Sequence, residues 1–214
     1  NNSLTDSTRH VSGYVSQTTG LNSNSLTSMA IDRRGDLWVA SNLGLNIISN
    51  LNTVLTNQPQ LRISSVFAVR QQTVNAIAVD ALNQKWVATN QGLLVLSSDG
   101  TNLLYAFDTR NSPLISDIIT SLAIDQVRGI VYAGSESGLS VIYTTALQPV
   151  DEFTELFIYP NPLRLENGSN QQITIDGLIR DSEIKILNSS GQLIKQFVTP
   201  GGKIAFWDGR NEFG

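Results

Sequence analysis

The sequence contains no cysteine, and charged residues make up only 15% of its 214 residues. Without cysteine the chain can form no disulfide, no thiolate nucleophile and no cysteine-ligated metal site. Lysine and arginine form no cluster larger than the pair Arg33-Arg34, so the basic face that follows nucleic-acid phosphates is not expected. No apolar run reaches the roughly 18 residues of a membrane-spanning helix, so we expect none.

Catalytic and cofactor signatures are equally scarce. Histidine occurs only at His10, which we interpret as a surface residue rather than the base of a Ser-His-Asp triad. The acidic residues Asp151, Glu152 and Glu155 could be a glycosidase carboxylate pair, but we interpret them as a solvated linker. No phosphate loop, metal-ligand spacing or nucleophile elbow is present. We therefore predict a protein that is not an enzyme and has no cofactor and no metal site.

The residues that are present are those of a packed and mostly uncharged protein. Hydrophobic residues make up 41% of the chain, the net charge is −4 and the pI is about 4.9. Asparagine, serine, threonine and glutamine take the place of charge on the expected surface. This composition argues against a disordered tail, which would combine high net charge with few β-branched residues.

A repeat organises the first two thirds of the chain. Residues 25–49 return as residues 73–97 and, less closely, as residues 118–143. An offset of this size indicates a repeat architecture. The positions that recur in step are an aspartate, an aromatic residue and a glycine: Asp32, Asp80 and Asp125; Trp38, Trp86 and Tyr132; Gly44, Gly92 and Gly138.

Each copy contains three short apolar runs separated by turn residues, which predicts strand-turn-strand-turn-strand and almost no helix. A fourth, outer strand fits Leu61–Arg70 after the first copy and Leu103–Phe107 after the second. Four strands in about 45 residues is the size of a β-propeller blade. Three blades cannot close a ring of about four to eight, so we expect this chain to be a fragment of a longer protein.

The repeat resembles that of the two-component regulator propeller family. The resemblance rests on Gly20–Ser25, on Asp32 and Gly35, and on the run Leu37–Ser41 followed by Gly44-Leu45. It recurs at Asp80, Trp86–Thr89 and Gly92-Leu93. It implies an all-β fold of about three four-stranded blades over residues 1–150.

A second β pattern follows a predicted domain boundary near residue 150. Strands are predicted at Gln171–Leu178, Ser182–Leu187, Gln192–Val198 and Ile204–Trp207. Residues 151–214 resemble a truncated C-terminal sorting domain of type IX secretion cargo, an immunoglobulin-like β-sandwich. The segments that carry this resemblance are Tyr159-Pro160-Asn161-Pro162, Lys185–Gly191 and Trp207–Asn211.

The two parts together resemble the PorZ family of type IX secretion accessory proteins. That resemblance implies export to the surface or outer membrane of a Gram-negative bacterium, protein partners in the surface attachment complex, and binding of lipopolysaccharide glycan. One alternative is a periplasmic sensory ectodomain, since the same repeats occur in two-component sensors. A propeller lyase or glycosidase is a third hypothesis, which the missing His/carboxylate cluster disfavours.

Loop residues are the binding candidates. The loops are rich in amide and hydroxyl side chains, which donate and accept hydrogen bonds and therefore suit hydroxyl-rich ligands. The chosen residues are Asn42, Asn90, Gln91 and Asn111, with plain turn formation as the alternative. We expect the repeated aspartates to cap turns rather than bind calcium. We expect the repeated aromatics to pack between blades rather than form a sugar platform.

Overall fold

A computed structural model describes residues 15–53, 60–163, 172–199 and 201–211. These residues form sixteen β-strands and three short 3₁₀ turns, which confirms the all-β prediction. None of the helical turns in these ranges is long or apolar enough to cross a bilayer. The strands are β1 Leu26–Ile31, β2 Leu37–Ser41, β3 Gly44–Ser49, β4 Arg62–Ser65, β5 Val74–Val79, β6 Lys85–Thr89, β7 Gly92–Leu96, β8 Leu103–Phe107, β9 Ser121–Asp125, β10 Ile130–Ser135, β11 Gly138–Tyr143, β12 Phe157–Tyr159, β13 Ile173–Asp176, β14 Glu183–Leu187, β15 Leu193–Val198 and β16 Ile204–Trp207.

The first two repeats form two four-stranded sheets of the same design. Their strand orders are β1-β2-β3-β4 and β5-β6-β7-β8, and all neighbours are antiparallel. Ala30 pairs with Trp38 in the first sheet, and Ala78 pairs with Trp86 in the second. A register shift between the first two strands also recurs, at Leu26/Ser28 and at Val74/Ala76. The sequence repeat is therefore a repeat of backbone geometry as well.

The third repeat departs from the prediction of three four-stranded blades. Its sheet has only three strands among the described residues, in the order β11-β10-β9. In the first two repeats the chain continues from the third strand into a fourth. After β11 it continues instead through residues 144–150, which form no strand. The predicted fourth strand of this blade is therefore wrong for the part of the chain that the structure describes.

The outer strand of the first blade is also shorter than the predicted Leu61–Arg70. β4 covers only Arg62–Ser65, and a 3₁₀ turn at Phe67–Val69 follows it. Val66 and Val69 are buried in the core that the first two sheets share. Turning the chain inward buries these two valines, which a longer exposed edge strand would leave half in water. The prediction for the second outer strand, Leu103–Phe107, is confirmed.

The core of the repeat region lies between the first two sheets. Trp38 and Leu45 of the first sheet lie in one cluster with Ile77, Val87 and Leu94 of the second. The first strands of the two sheets are bonded as well, because the Thr27 hydroxyl donates to the Val74 carbonyl and the Ile77 N–H donates to Ser28 Oγ. Each sheet thus hides one apolar face against its neighbour, as blades of a propeller do.

Contacts divide the chain into two compact units. One holds residues 1–79, 83–124 and 132–142, and the other holds residues 80–82, 125–131 and 143–214. In the second unit β12, β13 and β16 form a three-stranded antiparallel sheet, and β14 and β15 form a hairpin. Ile184 and Phe197 of the hairpin pack on Ile175 and Ala205 of the sheet. The predicted boundary near residue 150 stays a prediction.

The buried tryptophan of the second blade provides a test of the repeat packing. Trp86 is buried in its sheet, and its ring stacks at 6.3 Å from that of Phe107. We expect Trp86→Ala to lower the free energy of unfolding by roughly 3–5 kcal/mol, measured by denaturant titration. Tyr105→Ala is the matched control, because Tyr105 lies on the same sheet but is mostly exposed. Equal effects of the two substitutions would contradict the packing role of Trp86.

Candidate functional site

The turns between the second and third strands of the three sheets are built alike. Each begins with a serine or threonine whose hydroxyl accepts a hydrogen bond from the backbone N–H two residues later. The same hydroxyl donates to the carbonyl of the glycine three residues later: Ser41 to Gly44 (3.0 Å), Thr89 to Gly92 (2.8 Å) and Ser135 to Gly138 (3.1 Å). These hydroxyls are thus turn-forming groups rather than nucleophiles.

The glycine of this turn is required by close approach of the backbone. Gly44 has φ 110° and Gly92 has φ 119°, a conformation that side chains disfavour. A Cβ atom added to Gly44 would lie 2.6 Å from the Val69 carbonyl oxygen. The connection that leaves β4 therefore passes directly over the β2–β3 turn.

The connection between β8 and β9 is fastened to the same end of the second blade. The Gly92 N–H donates to the Asp117 carbonyl at 2.7 Å, and the Ile119 N–H donates to the Thr89 carbonyl at 3.0 Å. In an antiparallel sheet, the turn after the second strand and the connection after the fourth lie at the same end. We call this set of turns and connections the turn end of the blades, comprising residues 41–44, 66–73, 89–92 and 108–120.

All four predicted binding residues lie at the turn end and are exposed. Asn111 is held within its own loop, because its Nδ2 donates to the Ala106 carbonyl and its Oδ1 accepts from the Asp108 N–H. Asn90 Oδ1 accepts from Asn75 Nδ2 at 2.8 Å. The side chains of Asn42 and Gln91 form no hydrogen bond with any residue that the structure describes. Binding by these residues stays a prediction.

Asp108 and Arg110 of the β8–β9 connection form an ion pair within it. The Arg110 guanidinium lies 2.6 Å from Asp108 Oδ2 and, with backbone N–H groups of Arg110 and Asn111, lowers the pKa of that carboxyl. Asp108 in turn raises the pKa of Arg110. Asp117 accepts the Thr109 N–H at 2.7 Å. This loop therefore presents amides and paired charges, not the basic surface that phosphate binding needs.

A different kind of polar cluster lies at the opposite end, between the first two blades. Asp32 follows β1, and its Oδ2 lies 2.9 Å from Lys85 Nζ at the start of β6. Both side chains are fully buried. The indole Nε1 of Trp38 also donates to this oxygen, at 3.1 Å. Asp32 Oδ1 accepts the N–H groups of Arg34 and Asp36, which closes the β1–β2 turn.

Lys85 uses its remaining donors inside the same cluster. Its Nζ donates to the carbonyls of Asn83 and Ser98 at 2.7 and 2.5 Å. It also lies 4.5 Å from the centre of the Trp38 ring, within range of a cation–π interaction. Gly100 packs so closely on Trp38 that an added Cβ would lie 2.5 Å from the ring. The cluster is a network in which the buried donors and acceptors satisfy one another.

The charge of Asp32 is strongly stabilised in this cluster. Burial by itself would raise its pKa. The Lys85 ammonium, the backbone of the Asp36 turn and the Trp38 indole outweigh burial and lower the pKa of Asp32 to about 2. Hydrogen bonds to the charged form have this effect on a carboxyl group. Asp32 is therefore an anion at neutral pH, and its Oδ2 is paired with Lys85 Nζ.

Sequence reasoning missed this cluster, although one signal was available. Lys85 occupies the repeat position that is Leu37 in the first copy and Val131 in the third. A lysine at a position that is otherwise aliphatic is a candidate for burial with a partner. Its partner could not be identified from spacing, because Asp32 lies 53 residues earlier in the chain.

The interpretation of the repeated aspartates as turn caps is confirmed. Oδ1 of Asp80 accepts the Leu82 N–H, and Oδ1 of Asp125 accepts the N–H groups of Val127 and Arg128. No group of three or more potential metal-ligating side chains occurs within the described ranges. Trp38 and Trp86 are buried as expected, whereas Tyr132 is half-buried. His10 lies outside the described residues.

The repeated four-stranded sheets, their shared turn chemistry and their face-to-face packing define blades of a β-propeller. The two-component regulator propeller family matches residues 20–43, which contain the lead-in, β1 and β2. A search of curated protein sequences returns no match.

Solved structures extend the likeness over most of the chain. PorZ, described as an essential bacterial surface component of the type IX secretion system of Porphyromonas gingivalis, is 32% identical over 88% of this chain, with a TM-score of 0.58. The chain spans 26% of the length of that PorZ chain. The extracellular domain of a protein assigned to a hybrid two-component system of B. thetaiotaomicron is 21% identical, with a TM-score of 0.47, over 83% of this chain and 23% of its own. The family match and the PorZ likeness together support a propeller of the two-component regulator type.

The buried ion pair predicts a specific pattern of stability. Lys85→Met leaves Asp32 without its buried cation, with only the half-exposed Arg34 guanidinium 3.4 Å from Oδ2, and we expect a loss of about 3–5 kcal/mol in the free energy of unfolding. Combining it with Asp32→Asn removes the unpaired charge, so the double variant should recover part of that loss. Denaturant titration of both variants measures the coupling. A double variant no more stable than Lys85→Met would contradict the pairing.

The same pair predicts how stability changes in acid. The pKa of Asp32 is about 2 in the folded chain and 3.8 in the reference state. A lowered folded-state pKa contributes stability that is complete above pH 3.8 and is lost as the pH falls through 2, on the order of 2 kcal/mol. The double variant Asp32→Asn/Lys85→Met should therefore lose less stability than the parent between pH 4 and pH 2. If the free energy of unfolding fell equally with pH in the two proteins, Asp32 would not be the source of this acid dependence.

Proposed function

We propose that this chain is a non-catalytic binding and scaffold part of an exported cell-surface protein of the type IX secretion system, with a role like that of PorZ. The observation that carries the proposal is the 32% identity to PorZ over 88% of the chain, together with a common fold. The repeat match in residues 20–43 adds support, because it identifies the same kind of propeller from sequence.

The non-catalytic part of the proposal is supported by how the carboxylates are used. The three repeated aspartates accept backbone N–H groups of their own turns. Asp32 is further occupied by Lys85 and Trp38. A general acid or base needs a free position within reach of a substrate proton, and these three groups are engaged in turn structure.

The C-terminal part is proposed to be a sorting-type domain of the immunoglobulin-like kind. Its support is the arrangement of the second unit, in which the β14–β15 hairpin packs on the sheet of β12, β13 and β16. Two antiparallel layers around one apolar core is the architecture of a β-sandwich. Such a domain would connect the propeller blades to protein partners of the surface attachment complex.

Lipopolysaccharide glycan is the proposed small ligand, and the turn end is its proposed site. Propellers commonly bind ligands through the loops at the ends of their blades. Asn42 and Gln91 extend amide side chains into solvent at this end, and amides can both donate to and accept from sugar hydroxyls. The sparse positive charge argues that sugar hydroxyls, rather than lipid phosphates, would be recognised.

A retention experiment with immobilised lipopolysaccharide tests this proposal. The natural protein that contains this chain should be retained, and a version lacking residues 1–150 should be retained less. Failure to retain the natural protein would reject glycan binding. Equal retention of both versions would exclude these blades as the site.

Point variants give a sharper version of the same test. Asn42→Ala combined with Gln91→Ala should reduce retention without changing the unfolding midpoint, because neither side chain bonds to a described residue. Asn52→Ala is the matched control, since Asn52 is an exposed asparagine after β3, at the end opposite to the turn end. Equal retention of the double variant and the control would remove these two residues from the site.

A periplasmic sensory ectodomain is the second candidate function. The observation that favours it is the match of residues 20–43 to the repeat of two-component regulator propellers. The gene distinguishes the two candidates. A sensor would encode a membrane-spanning helix and a signalling domain after the blades, whereas a secretion component would encode the remainder of a sorting domain.

A further inference from the structure

Two positions at the turn end of the first blade are apolar, although the other copies of the repeat have polar residues there. One position directly precedes the turn glycine, and the other lies in the lead-in to the first strand of a repeat. The residues compared are Leu43 with Gln91 and Ser137, and Phe67 with Thr19 and Ser112. The repeat accepts a polar residue at either position, so the blade fold by itself does not require Leu43 or Phe67.

Phe67 also contributes little to the core. Its side chain is 83% exposed, and that of Leu43 is 42% exposed. Val66 and Val69, on either side of Phe67 in the chain, are the residues of this turn that enter the shared core. Because an apolar side chain stabilises a fold through the area that it removes from water, Phe67 adds little to folding. Its ring is available to a ligand instead.

Backbone hydrogen bonds fix the Phe67 turn onto the β2–β3 turn. The Val66 N–H donates to the Leu45 carbonyl at 3.0 Å, and the Gln71 N–H donates to the Leu43 carbonyl at 3.4 Å. These two bonds lie on either side of Phe67 in the chain. The two segments that carry Leu43 and Phe67 are therefore held next to each other before any ligand arrives, which lowers the entropy cost of binding.

Polar side chains without partners surround these two residues. Asn42 precedes Leu43, and Arg70 and Gln71 follow the Phe67 turn; all three are exposed. Their side chains form no hydrogen bond or ion pair with any residue in the described ranges. Amides both donate and accept hydrogen bonds, and a guanidinium donates them. An apolar ring is thus bordered by groups that can bond hydroxyls.

We propose that Phe67 is the stacking residue of the turn-end site, and that the site takes a sugar ring by its C–H face. The inference rests on the glycan binding proposed above and adds the contact that orients the sugar. The electron-rich face of an aromatic ring attracts the polarised C–H groups of a pyranose. Leu43 borders the ring, while Asn42 and Arg70 bond the hydroxyls at the edge of the sugar.

The size and surroundings of the apolar area favour a sugar over a protein partner. Only Leu43 and Phe67 are apolar here, and polar side chains follow directly on both segments. A stable protein interface has a wider apolar core inside a polar rim. One sugar ring, with an apolar face and a hydroxyl edge, matches the smaller area.

Substitutions at Phe67 test the inference in the natural protein that contains this chain. The probe is the polysaccharide released from lipid A of the lipopolysaccharide of the host bacterium, and affinity is measured by calorimetric titration. Phe67→Ala should weaken binding at least about tenfold. Phe67→Leu should weaken it as much, because leucine is apolar but not flat, whereas Phe67→Tyr should retain it. The unfolding midpoint of each variant should match that of the parent, since Phe67 is exposed.

Tyr105→Ala is the matched control, because Tyr105 is an exposed aromatic residue outside the turn end, and it should bind as the parent does. No binding by the parent protein would reject the proposed glycan function and the stacking role together. Binding by the parent with equal affinity for Phe67→Ala or Phe67→Leu would reject the stacking role alone. A loss for Phe67→Ala that appears with intact lipopolysaccharide but not with the released polysaccharide would assign the ring to acyl chains and overturn the inference.

Discussion

The packing of one blade on the next is the constraint on which the repeat region depends, and the Asp32–Lys85 pair lies inside it. A single sheet of this repeat has two apolar faces and cannot hide either of them alone. Between the first two blades the apolar cluster around Trp38 supplies the burial, and the ion pair fixes which groups meet. A buried pair gives little net stability over apolar packing, but breaking it is costly. Its physical effect is therefore to penalise any other register between these sheets.

The polar groups at the two ends of the blades differ in their hydrogen bonding and exposure. Asp32 Oδ1 closes the β1–β2 turn, while Oδ2 accepts from Trp38 of the first sheet and from Lys85 of the second. At the turn end the backbone is fixed by hydroxyl and glycine turns, which leaves amide side chains such as Gln91 directed outward. Rigid turns that carry free amides suit ligand contact better than buried charges do. The content of polar residues does not distinguish the two ends, since both ends are rich in polar residues.

Much of the fold could be read from periodic features of the sequence. The recurrence of Asp32, Trp38 and Gly44 predicted the strands, the turn caps and the matching burial of Trp38 and Trp86, because local turn chemistry and alternation are short-range properties. The limits of β4 could not be read in this way. Val66 and Val69 resemble strand residues, and only the neighbouring sheet makes an inward turn more favourable. The third sheet has only three strands among the described residues, and this was missed for the same reason, since its strand pattern resembles that of the complete blades.

The sequence by itself determined the repeat, its all-β character and the positions of its turns, because these follow from residue types within a few positions of one another. The tertiary structure alone decided which faces are covered and which polar groups are used up. Lysine is usually exposed, but Lys85 is buried, because its ammonium group pairs with Asp32, 53 residues away in the chain. Leu139 is a core residue by type, and its repeat equivalents Leu45 and Leu93 are fully buried, yet Leu139 itself is 60% exposed in the third sheet. Burial is a property of what packs against a residue, so it cannot be read from a repeat that is the same in every copy.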